Sequence, residues 1–361
     1  MKILITGGHL TPALAIIDYL QQNSPYEIIF VGRLWSQKKN KQKAHEQEEI
    51  IKKKLKFIPF ESGDITNVLD CLSLFFKIKQ AKQILQIEKI DLLISFGSFL
   101  ALPFALASLK LKIPVITHEQ TTKMGLTNKI IALIANKVLL TFPEKLTYSK
   151  KTILIGNFLR EELKNPSLKP DWFKNENNLP LLYITGGSQG AWFINNLIKN
   201  NLKQLLNNFI VIHQCGNPTS KHHYQRELEL AKSNLPPILQ KRYFIKPWIT
   251  QKELAYIYQN TKLMVARAGA NTVLEILSFK IPTLFIPYPY ARFKEQFYNA
   301  KQLADKNQSL ILEQTEINNE IFWQNLDLLN TNYHLFKKCL IQTKVTNQLE
   351  NFLKIIQAYE K

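Results

Sequence analysis

The chain has 361 residues, 45% hydrophobic and 21% charged, which suits two ordinary cores and leaves no apolar run near the roughly 20 residues of a membrane span. Its 47 Lys and Arg against 28 Asp and Glu give a formal net charge of +19. That excess points to an anionic partner (nucleic acid, an anionic membrane surface or a phosphorylated ligand) unless it is only a Lys-rich bias spread over solvated faces. Cys71, Cys215 and Cys339 are scattered and form no CxxC pair, which argues against a disulfide framework or structural zinc. No RNA- or DNA-binding signature accompanies the basic residues, so no nucleic-acid partner is expected.

In chain order, residues 2–6 read as a short apolar strand, with no signal-peptide pattern before it, and a cytoplasmic protein is expected. Gly7, Gly8 and His9 follow, and Pro12 suits the start of a helix. Residues 27–31 read as the second strand, and the Lys-rich segment 36–56 as a helix or mobile loop. Residues 69–85 read as an amphipathic helix in which Leu74, Phe75, Phe76 and Ile78 are surrounded by Lys77, Lys79 and Lys82. Such a helix either packs on a sheet with its lysines in water or lays its aromatics into lipid headgroups. Strands are predicted at 91–95, ending at Gly97, and at 113–117, leading into His118, Glu119 and Gln120. A helix from about Gly125, a strand at 138–141 and the string Gly156 to Arg160 complete this half. Residues 165–180, polar and with three prolines, fit a linker.

The pattern then restarts. A strand at 181–185 runs into Gly186, Gly187, Ser188, Gln189 and Gly190 and a long helix. Strands at 209–213 and 243–245, a helix at 251–260 and a strand at 263–266 follow. Ala268, Gly269 and Ala270 turn into a helix beginning near Asn271 or Thr272, with Glu275 about one turn in. A strand at 282–286 ends in a Pro- and Tyr-rich loop. Gln296 and Asn299 come next, three apart on one helix face. Residues 332–359 read as one or two helices. Strands alternating with helices in two blocks predict two doubly wound α/β domains, with ligands beyond the carboxyl ends of the strands, in the cleft between two facing halves.

Three small-residue turns follow predicted strands, at Gly7-Gly8, Gly186-Gly187-Ser188 and Ala268-Gly269-Ala270. None is a full GxGxxG, and there is no GxxxxGK[ST], which argues against a dehydrogenase or a P-loop NTPase. Three such turns over both halves suggest a diphosphate-bearing ligand, unless the small residues serve packing alone. His9, just after the first turn, is a candidate general base or a residue that only bonds backbone. His118 and Glu119 read as a catalytic pair or as loop orienters, and His222 and His223 as surface residues. Without an Asp-x-Asp pair, a departing diphosphate is expected to rely on helix termini and on Ser188, Arg160 and Arg267, with no metal and no cofactor.

The segments TGGHLTPALA, HEQTTKMGLTNK, GNFLR, TGGSQGAWFIN and RAGANTVLEI…EQFYNA resemble, in order and spacing, the MurG family of bacterial glycosyltransferases over nearly the whole chain. The resemblance implies a GT-B fold and an inverting, metal-independent transfer of N-acetylglucosamine. The donor would be UDP-N-acetylglucosamine and the acceptor the C4 hydroxyl of a lipid-linked N-acetylmuramyl-pentapeptide. It also implies peripheral attachment to an anionic membrane surface at the cytoplasmic face. By the same resemblance residues 1–162 form the acceptor and membrane-side domain, 163–339 bind the donor, and a helix at about 340–361 packs back on the first domain.

Carried onto this sequence, Thr6, Gly7 and Gly8 form the first phosphate-side loop, with His9 beside the acceptor hydroxyl. Thr121 and Asn128 fall in the HEQTTKMGLTNK segment. Arg160 and Ser188 match diphosphate-side positions, and Ile249 the residue whose backbone reads uracil. Ala270, Asn271, Thr272, Val273, Leu274 and Glu275 match the loop and helix start that hold the nucleotide, with Glu275 on the ribose. Gln296 and Asn299 match the sugar-reading pair. The sequence departs from the family in its first loop, TGGH rather than GGTGGH, in HEQT for HEQN, and in Glu295 before Gln296. A related transferase with another lipid acceptor, or a non-catalytic UDP-sugar-binding protein, are the alternatives.

Overall fold

The structure is a computed structural model that describes residues 1–37, 42–43, 45–61, 68–142, 150–164, 169–174, 178–187, 189–219, 222–343 and 348–360. The chain divides into two compact units, Met1–Glu161 with Asn347–Lys361, and Glu162–Thr346.

The first unit is built on β1 (Lys2–Thr6), β2 (Glu27–Gly32), β5 (Lys56–Pro59), β6 (Leu92–Ser95), β7 (Val115–Glu119), β8 (Lys137–Leu140) and β9 (Thr152–Leu154). They form one parallel sheet in the order β5-β2-β1-β6-β7-β8-β9. Side chains alternate across it. Ile3, Ile5, Ile28, Phe30, Leu92 and Ile94 enter one core layer, and Leu4, Ile29, Val31 and Leu93 the other. Both faces are therefore apolar, which is why these strands read as unbroken hydrophobic runs. One face is covered by the helix Leu10–Asn23 and by Leu349, Phe352 and Ile356 of the helix Gln348–Gln357. The other is covered by Leu100, Ala101 and Phe104 of the helix Ser98–Leu111, with Ala81, Leu85 and Ile131 from neighbouring helices.

Several details differ from the sequence expectation. The segment 36–56 contains a two-stranded antiparallel ribbon, β3 (Trp35–Gln37) and β4 (Gln42–Lys43), and a helix, His45–Lys52. The strands β5 and β9 were not expected. They are the sheet's two edges and are only partly buried, so they carry no long apolar run. β7 extends further than its apolar stretch because His118 and Glu119 stay on the ladder, opposite Leu139 and Leu140.

The second unit contains β10 (Leu181–Thr185), β11 (Ile210–Gln214), β12 (Tyr243–Lys246), β13 (Thr261–Ala266), β14 (Thr283–Phe285) and β15 (Ser309–Ile311). They are parallel, in the order β12-β11-β10-β13-β14-β15. The direction of winding changes between β10 and β13, where Thr185 is in register with Ala266. A buried polar triad crosses this unit. Its His213 Nδ1 lies 2.8 Å from the Tyr243 hydroxyl and Nε2 lies 3.0 Å from Asn195 Oδ1.

The expected linker is packed where it is described. Phe173 is 5% exposed and meets Phe244 with ring centroids 4.9 Å apart, and Trp172 Nε1 donates to Glu253 Oε1 at 2.6 Å. Residues 165–168 and 175–177 lie outside the described residues. The last segment holds two helices, Tyr333–Gln342 in the second unit and Gln348–Gln357 in the first.

Candidate active site

In the first unit the expected residues gather at the carboxyl ends of β1, β6 and β7. Thr6 ends β1, and its buried Oγ1 has no hydrogen-bond partner among the described residues. The Gly7 N–H donates to the Val31 carbonyl at 2.7 Å. A Cβ on Gly8 would stand 2.7 Å from the Gly97 carbonyl oxygen and 2.8 Å from that of Phe96. Only glycine lets these two strand ends touch. His9 is half-buried at the N-cap of the helix Leu10–Asn23, and its ring makes no capping bond. Burial pushes its imidazole below the usual value, and the nearby Glu119 charge works against that shift. Arg160 Nη2 donates to Thr11 Oγ1 at 3.4 Å, beside the first turn of the same helix, and its buried Nε has no partner among the described residues.

In the HEQTTKMGLTNK segment a hydrogen-bond network gathers on Glu119. Glu119 is 3% exposed and accepts from Thr121 N at 3.0 Å, Thr121 Oγ1 at 2.8 Å, Gly125 N at 3.0 Å and Asn128 Nδ2 at 2.9 Å. Asn128, 3% exposed, also accepts from Thr117 Oγ1 at 3.1 Å and donates to the His118 carbonyl at 3.3 Å. His118 Nε2 lies 3.0 Å from the Gly156 carbonyl, and its ring centroid is 4.8 Å from that of Phe158. Burial pushes His118 down to about 4. Of the two roles considered for His118 and Glu119, orienting the loop is the one these bonds describe.

In the second unit the sites fall on both sides of the β10–β13 switch. After β10, the Gly187 N–H donates to Thr185 Oγ1 at 3.0 Å, and Gly187 takes a φ of +87° that side chains resist. Ser188 lies outside the described residues. After β13, the helix Ala270–Phe279 starts on Gly269, one residue earlier than the sequence suggested, and no side chain caps it. Gly269 has an ordinary φ of −65°, and a Cβ there would meet no atom of the described structure within 4 Å. Neither local conformation nor packing requires glycine at this point. Ala270, Val273 and Leu274 are buried, while Asn271, Thr272 and Glu275 are half-buried. Glu275 Oε2 accepts from the Tyr258 hydroxyl at 2.7 Å.

Ile249 is 1% exposed and directly precedes Thr250, the N-cap of the helix Gln251–Asn260, which starts with a capping box between Thr250 and Glu253. Gln296 Oε1 accepts from the Tyr288 N–H at 3.0 Å. Asn299, fully buried, donates to the Ala268 carbonyl at 3.1 Å, and its Oδ1 has no partner among the described residues. This pair is thus attached to the loops around the same turn. Arg267 is placed differently from the expectation of a diphosphate ligand. Its Nη1 donates to the Ile286 and Pro287 carbonyls at 2.8 and 2.9 Å, and its Nη2 to Gln314 at 2.8 Å. Burial lowers it to about 10, and it serves to clamp the loop after β14. Sequence reasoning missed Tyr258, because nothing in the local pattern marks a buried tyrosine whose partner lies on another helix.

Of the residues singled out on the helix Val68–Ile87, Leu74 and Ile78 pack on the core and Lys77 Nζ sits 5.1 Å from the Phe60 ring centroid. Phe75 and Phe76 are 64% and 69% exposed. Leu109, Leu126 and Leu133 of the same unit are also exposed. No helix among the described residues is long and apolar enough to cross a membrane.

Family models match both halves: the glycosyltransferase family 28 N-terminal domain at residues 6–140 and the C-terminal domain at 181–357. Among curated relatives is the UDP-N-acetylglucosamine–N-acetylmuramyl-(pentapeptide) pyrophosphoryl-undecaprenol N-acetylglucosamine transferase of Clostridium botulinum, 32% identical over all of this chain and 99% of the relative. The protein of the same name from Clostridium tetani is 31% identical over 99% of this chain and 98% of the relative. Among solved structures, Acinetobacter baumannii MurG aligns with a TM-score of 0.78 over 99% of this chain and all of that one, at 24% identity. The shared architecture is GT-B, with two doubly wound α/β domains. With both domain models matched and full-length relatives at nearly one-third identity, the chain belongs to glycosyltransferase family 28.

Proposed function

We propose that the chain is an inverting glycosyltransferase that moves N-acetylglucosamine from UDP-N-acetylglucosamine to the C4 hydroxyl of a lipid-linked N-acetylmuramyl-pentapeptide, the step that makes lipid II for peptidoglycan. The observation that carries the donor assignment is the β13 turn. There an uncapped helix N-terminus follows a glycine that the fold does not need, and Glu275 sits about one turn further on. Free amides at a helix start suit a diphosphate, and a carboxylate at that depth suits a ribose diol.

In this reading the second unit holds the donor. The amides of the turns after β10 and β13, with the Ser188 hydroxyl, receive the diphosphate. The Ile249 backbone reads uracil, and Gln296 and Asn299 read the sugar hydroxyls. The first unit holds the acceptor around Thr6, Gly7 and Gly8, and the Thr121–Asn128 loop shapes the wall beside it. His9 takes the proton of the attacking hydroxyl as the new C1–O bond forms. The bond from C1 to the diphosphate breaks, and UDP leaves with the electron pair, its charge met by the amides and by Arg160. A His held below its usual pKa is neutral near pH 7 and able to accept that proton.

Steady-state transfer from radiolabelled UDP-N-acetylglucosamine to purified lipid acceptor tests the assignment. Ser188→Ala is expected to cost roughly 100- to 1000-fold in kcat, the usual loss for one donor to a developing oxyanion. His9→Ala is expected to lower kcat by about 100-fold or more with little change in donor KM. Wild-type rates in either variant would end the corresponding assignment.

Attachment at the cytoplasmic face of a membrane is part of the same proposal. Phe75 and Phe76, exposed on a chain of formal charge +19, supply the aromatic and basic features that anionic headgroups favour.

A further inference from the structure

The helix Gln251–Asn260 connects two places that the nucleotide reading uses. Its N-cap, Thr250, directly follows Ile249, and near its other end Tyr258 reaches Glu275. Tyr258 is 3% exposed, and its ring is fixed on two sides. One neighbour is the Tyr183 ring of β10, edge-on at 5.7 Å, and the other is the Phe279 ring at 5.1 Å. Tyr183 is itself 1% exposed and donates to Gln214 Oε1 at 2.9 Å, so the support is anchored to β11. A phenol held in this way has one direction for its O–H, and that direction is Glu275 Oε2, 2.7 Å away. Burial and the Glu275 charge both favour the protonated phenol, so it remains a donor throughout the working pH range.

We infer that Tyr258 is the positioning residue for nucleoside recognition: it fixes the Glu275 carboxylate in the orientation that accepts the ribose 2′- and 3′-hydroxyls. The inference rests on the reading of Glu275 as the ribose-binding group. A glutamate side chain has several accessible rotamers, and a bidentate bond to a vicinal diol needs one of them. Holding one carboxylate oxygen against a rigid phenol selects that rotamer before the donor arrives. The helix that follows Ile249 and Thr250 then ties the base-reading backbone, through Tyr258, to the ribose-reading carboxylate.

The test compares wild type, Tyr258→Phe, Glu275→Ala and the double variant on UDP-N-acetylglucosamine and on its 2′,3′-dideoxyuridine counterpart. Phenylalanine keeps the ring packing and removes only the hydroxyl, and a thermal melt within a few degrees of wild type establishes that the variant is folded. Tyr258→Phe is expected to raise donor KM about tenfold, the usual effect of losing one hydrogen bond to a charged group, and to leave kcat close to wild type. The penalty should vanish with the dideoxy donor, and the double variant should be no worse than Glu275→Ala alone. If Glu275→Ala weakens the ribose donor and Tyr258→Phe does not, the inference fails and the ribose reading stands. Equal penalties on both donors from Tyr258→Phe would reveal a packing role and overturn the inference. If Glu275→Ala has no effect on either donor, the ribose reading fails and the inference falls with it.

Discussion

The loop after β7 in the first unit and the turn after β13 in the second unit are similar in position, since each is a short motif at the carboxyl end of a parallel strand. Their structures are opposite. The Glu119 carboxylate accepts from Thr121, Gly125 and Asn128 and holds its own loop in shape. The Ala268–Gly269–Ala270 turn leaves its helix start uncapped, with no atom of the described structure near the missing Gly269 side chain. Polar groups that bond one another maintain a wall, whereas polar groups directed away from the fold can take a ligand. Motif recognition alone does not separate the two cases.

The comparison breaks most completely in acid, where both units carry a buried neutral histidine, His118 at about 4 and His213 at about 3. Both values lie below the unfolded value near 6.5. The unfolded chain therefore binds these protons first, and the stability is complete above pH 6.5 and lost as pH falls. Between pH 6.5 and 4 each histidine should remove about 3 kcal/mol, visible as a shrinking urea midpoint for both units.

A substitution inside the Glu119 network separates the units. Glu119→Ala strands the buried Asn128 amide and the part-buried Thr121 and Gly125 donors, and should destabilise the first unit by about 3 kcal/mol in urea, with UDP affinity at the second unit unchanged. Equal loss of UDP binding would show that the network does not serve the first unit alone. The converse variant is Gly269→Val. It should weaken UDP binding about tenfold or more by calorimetry while shifting stability by less than about 1 kcal/mol, because the side chain enters space the fold leaves open. The smallest effect concerns the exposed aromatics. Phe75→Asp with Phe76→Asp should reduce cosedimentation with anionic vesicles several-fold and leave UDP affinity as it was. Vesicle binding that survives the double change would move the attachment site elsewhere.

Much of the fold could be read from the sequence because buried parallel strands announce themselves as apolar runs, as at Ile3 to Ile5 or Ile28 to Val31. What could not be read lies where burial is partial or where partners are distant. The edge strands β5 and β9 and the short β15 are too brief or too polar to stand out. Trp172 and Phe173 sit between prolines and read as linker, yet Phe244 and Glu253, more than seventy positions later, bind them. Arg267 reads as an anion ligand because a diphosphate without an Asp-x-Asp pair needs arginines. Its acceptors are the backbone carbonyls of Ile286 and Pro287 and the distant Gln314 side chain, which no local pattern reveals. The candidate site divides similarly. The glycine turns and Glu275 are visible as motif, but Tyr258 appears only when the helices are placed.

The helix Gln348–Gln357 closes a core whose other members lie before residue 162. Phe352 meets Phe158 with ring centroids 5.2 Å apart, and Phe158 in turn supports His118. A ribosome making this chain delivers every residue of the second unit before the first receives its closing helix. The first sheet must wait, half-covered, while those residues are made, and His118 gains its final support only after them.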